Sequence, residues 1–566
     1  MPMAASKAFS SRRLLHFIAL LVISGIASAD PYPVNPRIDI EHYRFDISLS
    51  DANDVIDVQA TIDVSLLDPS LRQFELDLVQ RSAARGDRGM TVSSVTSGGA
   101  PLRYAHREDR LLIEVPSAAT AGGRISVELR YAGTPDDGLV IGTNKHGDRT
   151  FFSDNWPDKA RHWLATVDHI ADKATSEFVV RAPSRLQVVS NGLQIERTNL
   201  DSAVTLTHWR QSVPVSPWLF VVAATEFAVQ RVDTFDHKTI ETWVYRQDRD
   251  AGFHDFAVPT KDALAFYTSY VGNFEYEKLA NIQSNSVSGG MEASSAILYG
   301  EDAVTGERSR RWQSVIVHEI AHQWFGNSVT EKSWDDVWLS EGFATYFTYL
   351  YFEHAKGHEE FARYLMEARD SAIEFAAENP EYRIVHENLQ DMAEVTTGQT
   401  YNKGAWILHM LRTRIGDDRW WRGIRNYYRK YRNATASTDD FRREMEWACG
   451  CDLQQYFNYW LRTGSRVILD GGWHYEADAN RAHIALKRSG HSAGSPDMTL
   501  QAAVYYADTP VPDIVSIPLD ERGGSITIDA RSKPTSIMLD PNTRLLAAWT
   551  FAERSPAERS PAERSP

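Results

Sequence analysis

The sequence predicts a multidomain α+β protein: an antiparallel β region first, a mostly helical region next and a small β-sandwich last. Three observations carry this prediction. Apolar residues alternate strictly over Ile56, Val58, Ala60, Ile62, Val64 and Leu66, and again over Ile125, Val127, Leu129 and Tyr131, which is the period of a half-buried strand. From about residue 247 the spacing becomes helical, as in Trp406, Ile407, Met410, Leu411 and Ile415. Short apolar runs then return at 500–506, 514–517, 526–528 and 537–539. A chain of 566 residues exceeds what one core organises, so about three domains are expected.

Residues 1–29 read as a signal peptide. Lys7, Arg12 and Arg13 form a basic region, Leu14 to Ile26 an apolar core, and Ala27-Ser28-Ala29 a small-residue cleavage site before Asp30. The apolar run is shorter than the roughly 20 residues a membrane-spanning helix needs. An exported protein, periplasmic or secreted, with no membrane span after cleavage is the expectation. Residues 30–246 follow as the β domain, punctuated by Gly86, Gly89, Gly98-Gly99, Gly122-Gly123 and Pro135. Residues 247–465 form the helical domain, where segments 309–325, 341–356 and 401–415 lack proline. Residues 466–551 form the sandwich. Residues 552–566 repeat Ala-Glu-Arg-Ser-Pro three times, a composition that cannot build a core and reads as a disordered tail.

Charge excludes one class of function. The chain carries 60 basic and 76 acidic residues, and removing 1–29 takes away three bases and no acids. Such acidity argues against nucleic-acid binding and for a soluble protein. The two cysteines, Cys449 and Cys451, are too few for a metal site of their own and read as structural or incidental, bonded or as buried thiols.

The chemistry concentrates in His318-Glu319-Ile320-Ala321-His322, followed after 18 residues by Glu341. Two imidazoles four residues apart share one helix face and can bind one zinc ion, one per chain. Glu341 can supply the third ligand, which leaves a fourth position open, and Glu319 can activate a water there. Amide hydrolysis also needs a donor for the developing oxyanion and a device that fixes the substrate. Tyr401, in Tyr401-Asn402-Lys403-Gly404-Ala405, is a candidate donor. Gly289-Gly290-Met291-Glu292-Ala293 is a candidate fixing device, because glycine admits close backbone approach and an acid can pair with an ammonium. Taken singly, each of these patterns also fits an ordinary loop or surface residue. His354, His386 and His409 read as surface or core histidines.

In this order, Gly-Gly-Met-Glu, His-Glu-Ile-Ala-His-Gln-Trp-Phe-Gly-Asn, Trp-Leu-Ser-Glu-Gly-Phe-Ala and Tyr-Asn-Lys-Gly-Ala resemble the gluzincin aminopeptidase family, which includes aminopeptidase N and the leukotriene-epoxide hydrolase. Upstream, Arg161 to Lys173 and Ser190-Asn191-Gly192 resemble the signature of that family's amino-terminal domain. The resemblance implies a saddle-like β domain, a thermolysin-like catalytic domain and a following β-sandwich. It implies zinc held by His318, His322 and Glu341, with Glu319 as general base and Tyr401 stabilising the tetrahedral intermediate. It further implies that Glu292 binds the free α-amino group of a peptide and that Gly289 and Gly290 lie along it.

Three departures carry consequences. Ala293 stands where the family usually has Asn, which is expected to loosen its loop. Trp156 stands where many members have a second amine-binding Glu or Gln, leaving Asp154 or Asp158 as substitutes. The sequence ends after the sandwich, without the large helical domain of many members, so a more open active site is expected. The function implied is an exported zinc aminopeptidase, with endopeptidase or epoxide-hydrolase action on the same zinc site as the alternative. A peptide-binding scaffold is a third reading, disfavoured because it has no need of ligands, base and tyrosine together.

Overall fold

Strict alternation at 56–66 builds the centre of an eight-stranded sheet. Strand Ile56–Leu66 pairs antiparallel with Ile38–Ser48 on one side and Arg124–Thr134 on the other. Ala174–Pro183 runs parallel to Ile38–Ser48. The alternating residues of both strands predicted from sequence are all buried, so the pattern is the inner face of this sheet. The computed structural model describes residues 34–117, 119, 123–490 and 494–554. The segment 1–29, read as a signal peptide, lies outside the described residues.

A second sheet of four strands orders Gln187–Ser190, Val222–Thr225, Arg149–Ser153 and Leu139–Thr143. A third, of five strands, orders Phe227–Phe235, Lys238–Tyr245, Lys278–Ser284, Ala296–Gly300 and Gly290–Met291. The third sheet joins strands from both sides of residue 246. Lys278–Ser284 is buried at every position, so it has no alternation by which to distinguish it in sequence from a buried helical stretch.

Eight α-helices follow among the described residues: α1 Arg249–Tyr270, α2 Arg310–His322, α3 Trp338–Lys356, α4 His358–Glu378, α5 Gly398–Ile415, α6 Asp417–Tyr431, α7 Thr438–Cys449 and α8 Gln454–Arg462. The α2 start is set by Ser309, whose hydroxyl accepts from the Trp312 amide. Thr397 and Thr400 cap α5 reciprocally. Helix α3 is buried from Trp338 to Phe352, including Glu341, so it is the central helix of the region. Cys449 and Cys451 form a disulfide at the end of α7.

The last region holds a four-stranded sheet, built on Ile468–Glu476 and Arg481–Ser489, and a three-stranded one built on Met498–Tyr506 and Thr509–Leu519. Strand Ala548–Glu553 runs parallel to Ile468–Glu476, with Ala552 opposite Gly472 and Glu553 opposite Trp473. Backbone pairing thus carries the sheet two residues into the segment whose composition reads as a tail, and residues 555–566 lie outside the described residues. No helix among the described residues is long and apolar enough to cross a membrane.

Candidate active site

Helix α2 presents His318 and His322 on one face, and the first turn of α3 brings Glu341 to them. The two Nε2 atoms stand 3.0 Å apart, and each lies 3.3 Å from Glu341 Oε2. Tetrahedral zinc about 2.1 Å from each ligand sets its ligands about 3.4 Å apart, so this triangle fits the ion. The tautomer fits as well. His322 Nδ1 donates to the Phe325 carbonyl at 3.1 Å, with Ser340 Oγ at 2.9 Å, which leaves the Nε2 lone pair for a metal. Glu292, Glu319 and His322 also bring ligand atoms within 4.8 Å of one another. The His322 nitrogen near Glu292 is Nδ1, at 3.8 Å, already committed to Phe325, so the first triangle is the better metal site.

Crowded carboxylates surround this triangle. Burial, then repulsion from Glu292, pushes Glu319 well above the usual carboxylate range. Burial likewise raises Glu292 to about 7. Burial opposes a charged His322, but Glu292 and Glu341 outweigh it and hold the ring up to about 10. A dication among these groups balances the charge they gather, which is a second reason the donor set suits zinc.

One cleft of about 500 Å³ collects the residues singled out from sequence. His318, Glu319, His322, Glu341, Tyr401, Glu292, Gly289 and Gly290 all line it. Tyr401 stands in the first turns of α5, its ring 6.0 Å from that of His318. Burial, then the nearby Glu341, raises its phenol well above the ordinary range, so it stays protonated. Gly290–Met291 forms the edge strand of the third sheet, and Gly290 lies against Glu319: a Cβ there would fall 2.1 Å from its Oε1. Gly289 faces open space. Glu292 lines the cleft, and its Oε1 is buried without a hydrogen-bond partner, 3.8 Å from His322 Nδ1.

The Glu292 loop is pinned by hydrogen bonds on both sides of Ala293. Gln323 Nε2 and Asn327 Nδ2, just past α2, donate to the Glu292 carbonyl at 2.9 and 2.6 Å. Asn191 Nδ2 donates to the Ser294 carbonyl, and the Gly192 amide to Ser295 Oγ. Ala293 itself is buried. Lys173 Nζ, from the β region, donates to the carbonyls of Asn327 and Ser328. The upstream signature residues therefore work as struts for the loop and for the segment that follows α2. Their roles were illegible in sequence because each bond spans at least about a hundred residues.

The structure separates the two candidate acids. Asp154, following strand Arg149–Ser153, lines the cleft. Asp158 is not among the lining residues and faces Arg161 at 3.6 Å. Of the remaining histidines, His409 is buried between the Tyr346 hydroxyl and the Thr543 carbonyl.

Comparison with known proteins agrees with this geometry. Residues 40–219 match the Peptidase M1 N-terminal domain, and residues 258–460 the Peptidase family M1 domain. The chain is 28% identical over 449 residues to aminopeptidase A of Gloydius brevicauda, covering 70% of this chain and 46% of that protein. It is 28% identical over 425 residues to a probable aminopeptidase 1 of Saccharolobus solfataricus, 71% and 52% of the two chains. Against glutamyl aminopeptidase of Bos taurus it is 28% identical over 334 residues, 56% and 34%. The chain thus spans about a third to a half of the length of these relatives. With both domains present in order and together covering more than half of its length, the chain belongs to peptidase family M1.

Proposed function

We propose that this chain is an exported zinc-dependent aminopeptidase that hydrolyses the amino-terminal peptide bond of peptides with a free amine. The observation that carries this reading is Glu292, a buried carboxylate whose Oε1 has no hydrogen-bond partner, in the same cleft as the His318, His322 and Glu341 triangle. Such an acid beside a metal triad measures from a charged amine, which restricts cleavage to the chain end. The basic, apolar and small-residue order of residues 1–29 supports export.

His318, His322 and Glu341 would hold zinc, which would supply Lewis acidity to a carbonyl and a water in the cleft. Glu319 takes the proton of the attacking water and returns it to the leaving amine. Tyr401 donates its phenolic hydrogen bond to the oxygen that gains charge, and its raised pKa keeps that proton in place. The backbone of Gly289 and Gly290 runs beside the substrate at a sheet edge. Glu292 pairs with the α-ammonium, and Asp154 adds a second negative charge to the same cleft.

The test compares an aminoacyl-peptide with its amino-terminally acetylated form, each with and without a chelator. Chelator-sensitive cleavage of the free peptide alone is expected. Equal cleavage of both forms defeats the aminopeptidase reading in favour of an endopeptidase.

A further inference from the structure

The charged side chains lining the cleft, apart from the two histidines, are all carboxylates: Asp154, Glu292, Glu319 and Glu341. No lysine or arginine is among the lining residues described. An acidic first side chain entering here would lose water and meet four carboxylates with no lysine or arginine to pair with, which is costly. The apolar part of the wall is Trp156, Val287, Met291 and Val315, and its largest member is Trp156.

Trp156 is held, not merely placed. Its ring meets Trp218 at 5.0 Å and Trp334 at 4.8 Å, both near perpendicular, and those two rings lie 5.8 Å apart. Trp218 and Trp334 are buried, while Trp156 is half-buried and opens onto the cleft. An indole held edge to face by two buried indoles makes a rigid platform, which binds apolar surface without first ordering a flexible side chain.

We propose that Trp156 forms the subsite for the first side chain and makes the enzyme select peptides beginning with a large apolar residue over those beginning with an acidic one. This rests on the aminopeptidase reading above and adds its substrate class.

The test uses the zinc-loaded full chain and p-nitroanilide reporters of Leu, Phe, Ala and Glu. We expect kcat/KM for Leu and Phe to exceed that for Glu by ~100-fold or more, the scale on which a site rejects a group it leaves unpaired. Trp156→Ala is expected to lower the Leu/Ala and Phe/Ala ratios of kcat/KM about 10-fold, mainly through KM, as lost apolar contact does. Trp156→Phe is expected to keep both ratios within about 3-fold, since an aromatic wall remains. Glu cleaved as fast as Leu overturns the proposal, and so does a Trp156→Ala loss equal for every reporter, which marks a structural role. If Trp156→Ala does not fold, the wild-type panel and Trp156→Phe decide. Turnover of no free-amine reporter fells the aminopeptidase reading and this proposal with it, an outcome distinct from turnover with the wrong preference.

Discussion

Gly342 of α3 and Gly404 of α5 meet backbone to backbone: a Cβ on Gly404 would lie 2.9 Å from Gly342 Cα, and one on Gly342 3.0 Å from Gly404 Cα. The contact lets two helices approach without intervening side chains, and it sits one residue from Glu341 and three from Tyr401. Gly404→Val forces the helices apart. We expect a destabilisation of ~2–3 kcal/mol, seen as a lower thermal midpoint, and a fall in kcat larger than the rise in KM. A variant with unchanged midpoint and turnover removes this contact as the positioning device.

Gly290 and Gly289 should behave differently although they are neighbours. A Cβ at Gly290 collides with the Glu319 carboxylate, whereas one at Gly289 meets open space. Gly290→Ala is expected to lower kcat about 100-fold by displacing the base, with zinc content retained. Gly289→Ala is expected to leave the thermal midpoint unchanged. Equal kcat losses in the two variants contradict the steric account.

Glu319→Gln keeps the metal triangle and removes the proton acceptor. Full zinc content by atomic absorption, with turnover down ~10²–10⁴-fold, is expected for a lost general base. Near-normal hydrolysis rules out Glu319 as that base.

Tyr401→Phe removes one hydrogen bond and little else, because the ring remains beside His318. Turnover should fall ~10²–10³-fold at nearly constant KM, the signature of a donor used chiefly in the transition state. A change confined to KM shows that Tyr401 binds substrate instead.

His409 links stability to pH away from the metal. Burial lowers it to about 4, against 6.5 in the unfolded chain, and the neutral ring donates from Nε2 to Thr543 while accepting from Tyr346. Between those values the unfolded state binds more protons, so stability is full above pH 6.5 and is lost as pH falls towards 4. The whole change is worth about 3 kcal/mol. Thermal midpoints at pH 7.5 and 5 read it, and His409→Gln should flatten the difference.

Much of the site was legible because it is local. The spacing of His318 and His322 places both on one helix face in any setting, and strict alternation at 56–66 already marked a buried sheet face. Tyr401 and Glu292 followed from the order of motifs through a family resemblance. Spacing alone left each of them an ordinary acid or phenol. The all-buried strand Lys278–Ser284 escaped notice because burial on both faces erases the period that reveals a strand.

By itself, then, the sequence determined that His318 and His322 share a helix face and the order of β, helical and β regions, since periodicity and spacing act within a few turns of chain. Tertiary structure alone decided that Asp154 and not Asp158 reaches the cleft, that Trp156 is its aromatic wall, and that Gly342 meets Gly404. Those relations join segments tens to hundreds of residues apart, and only close packing selects which side chains meet.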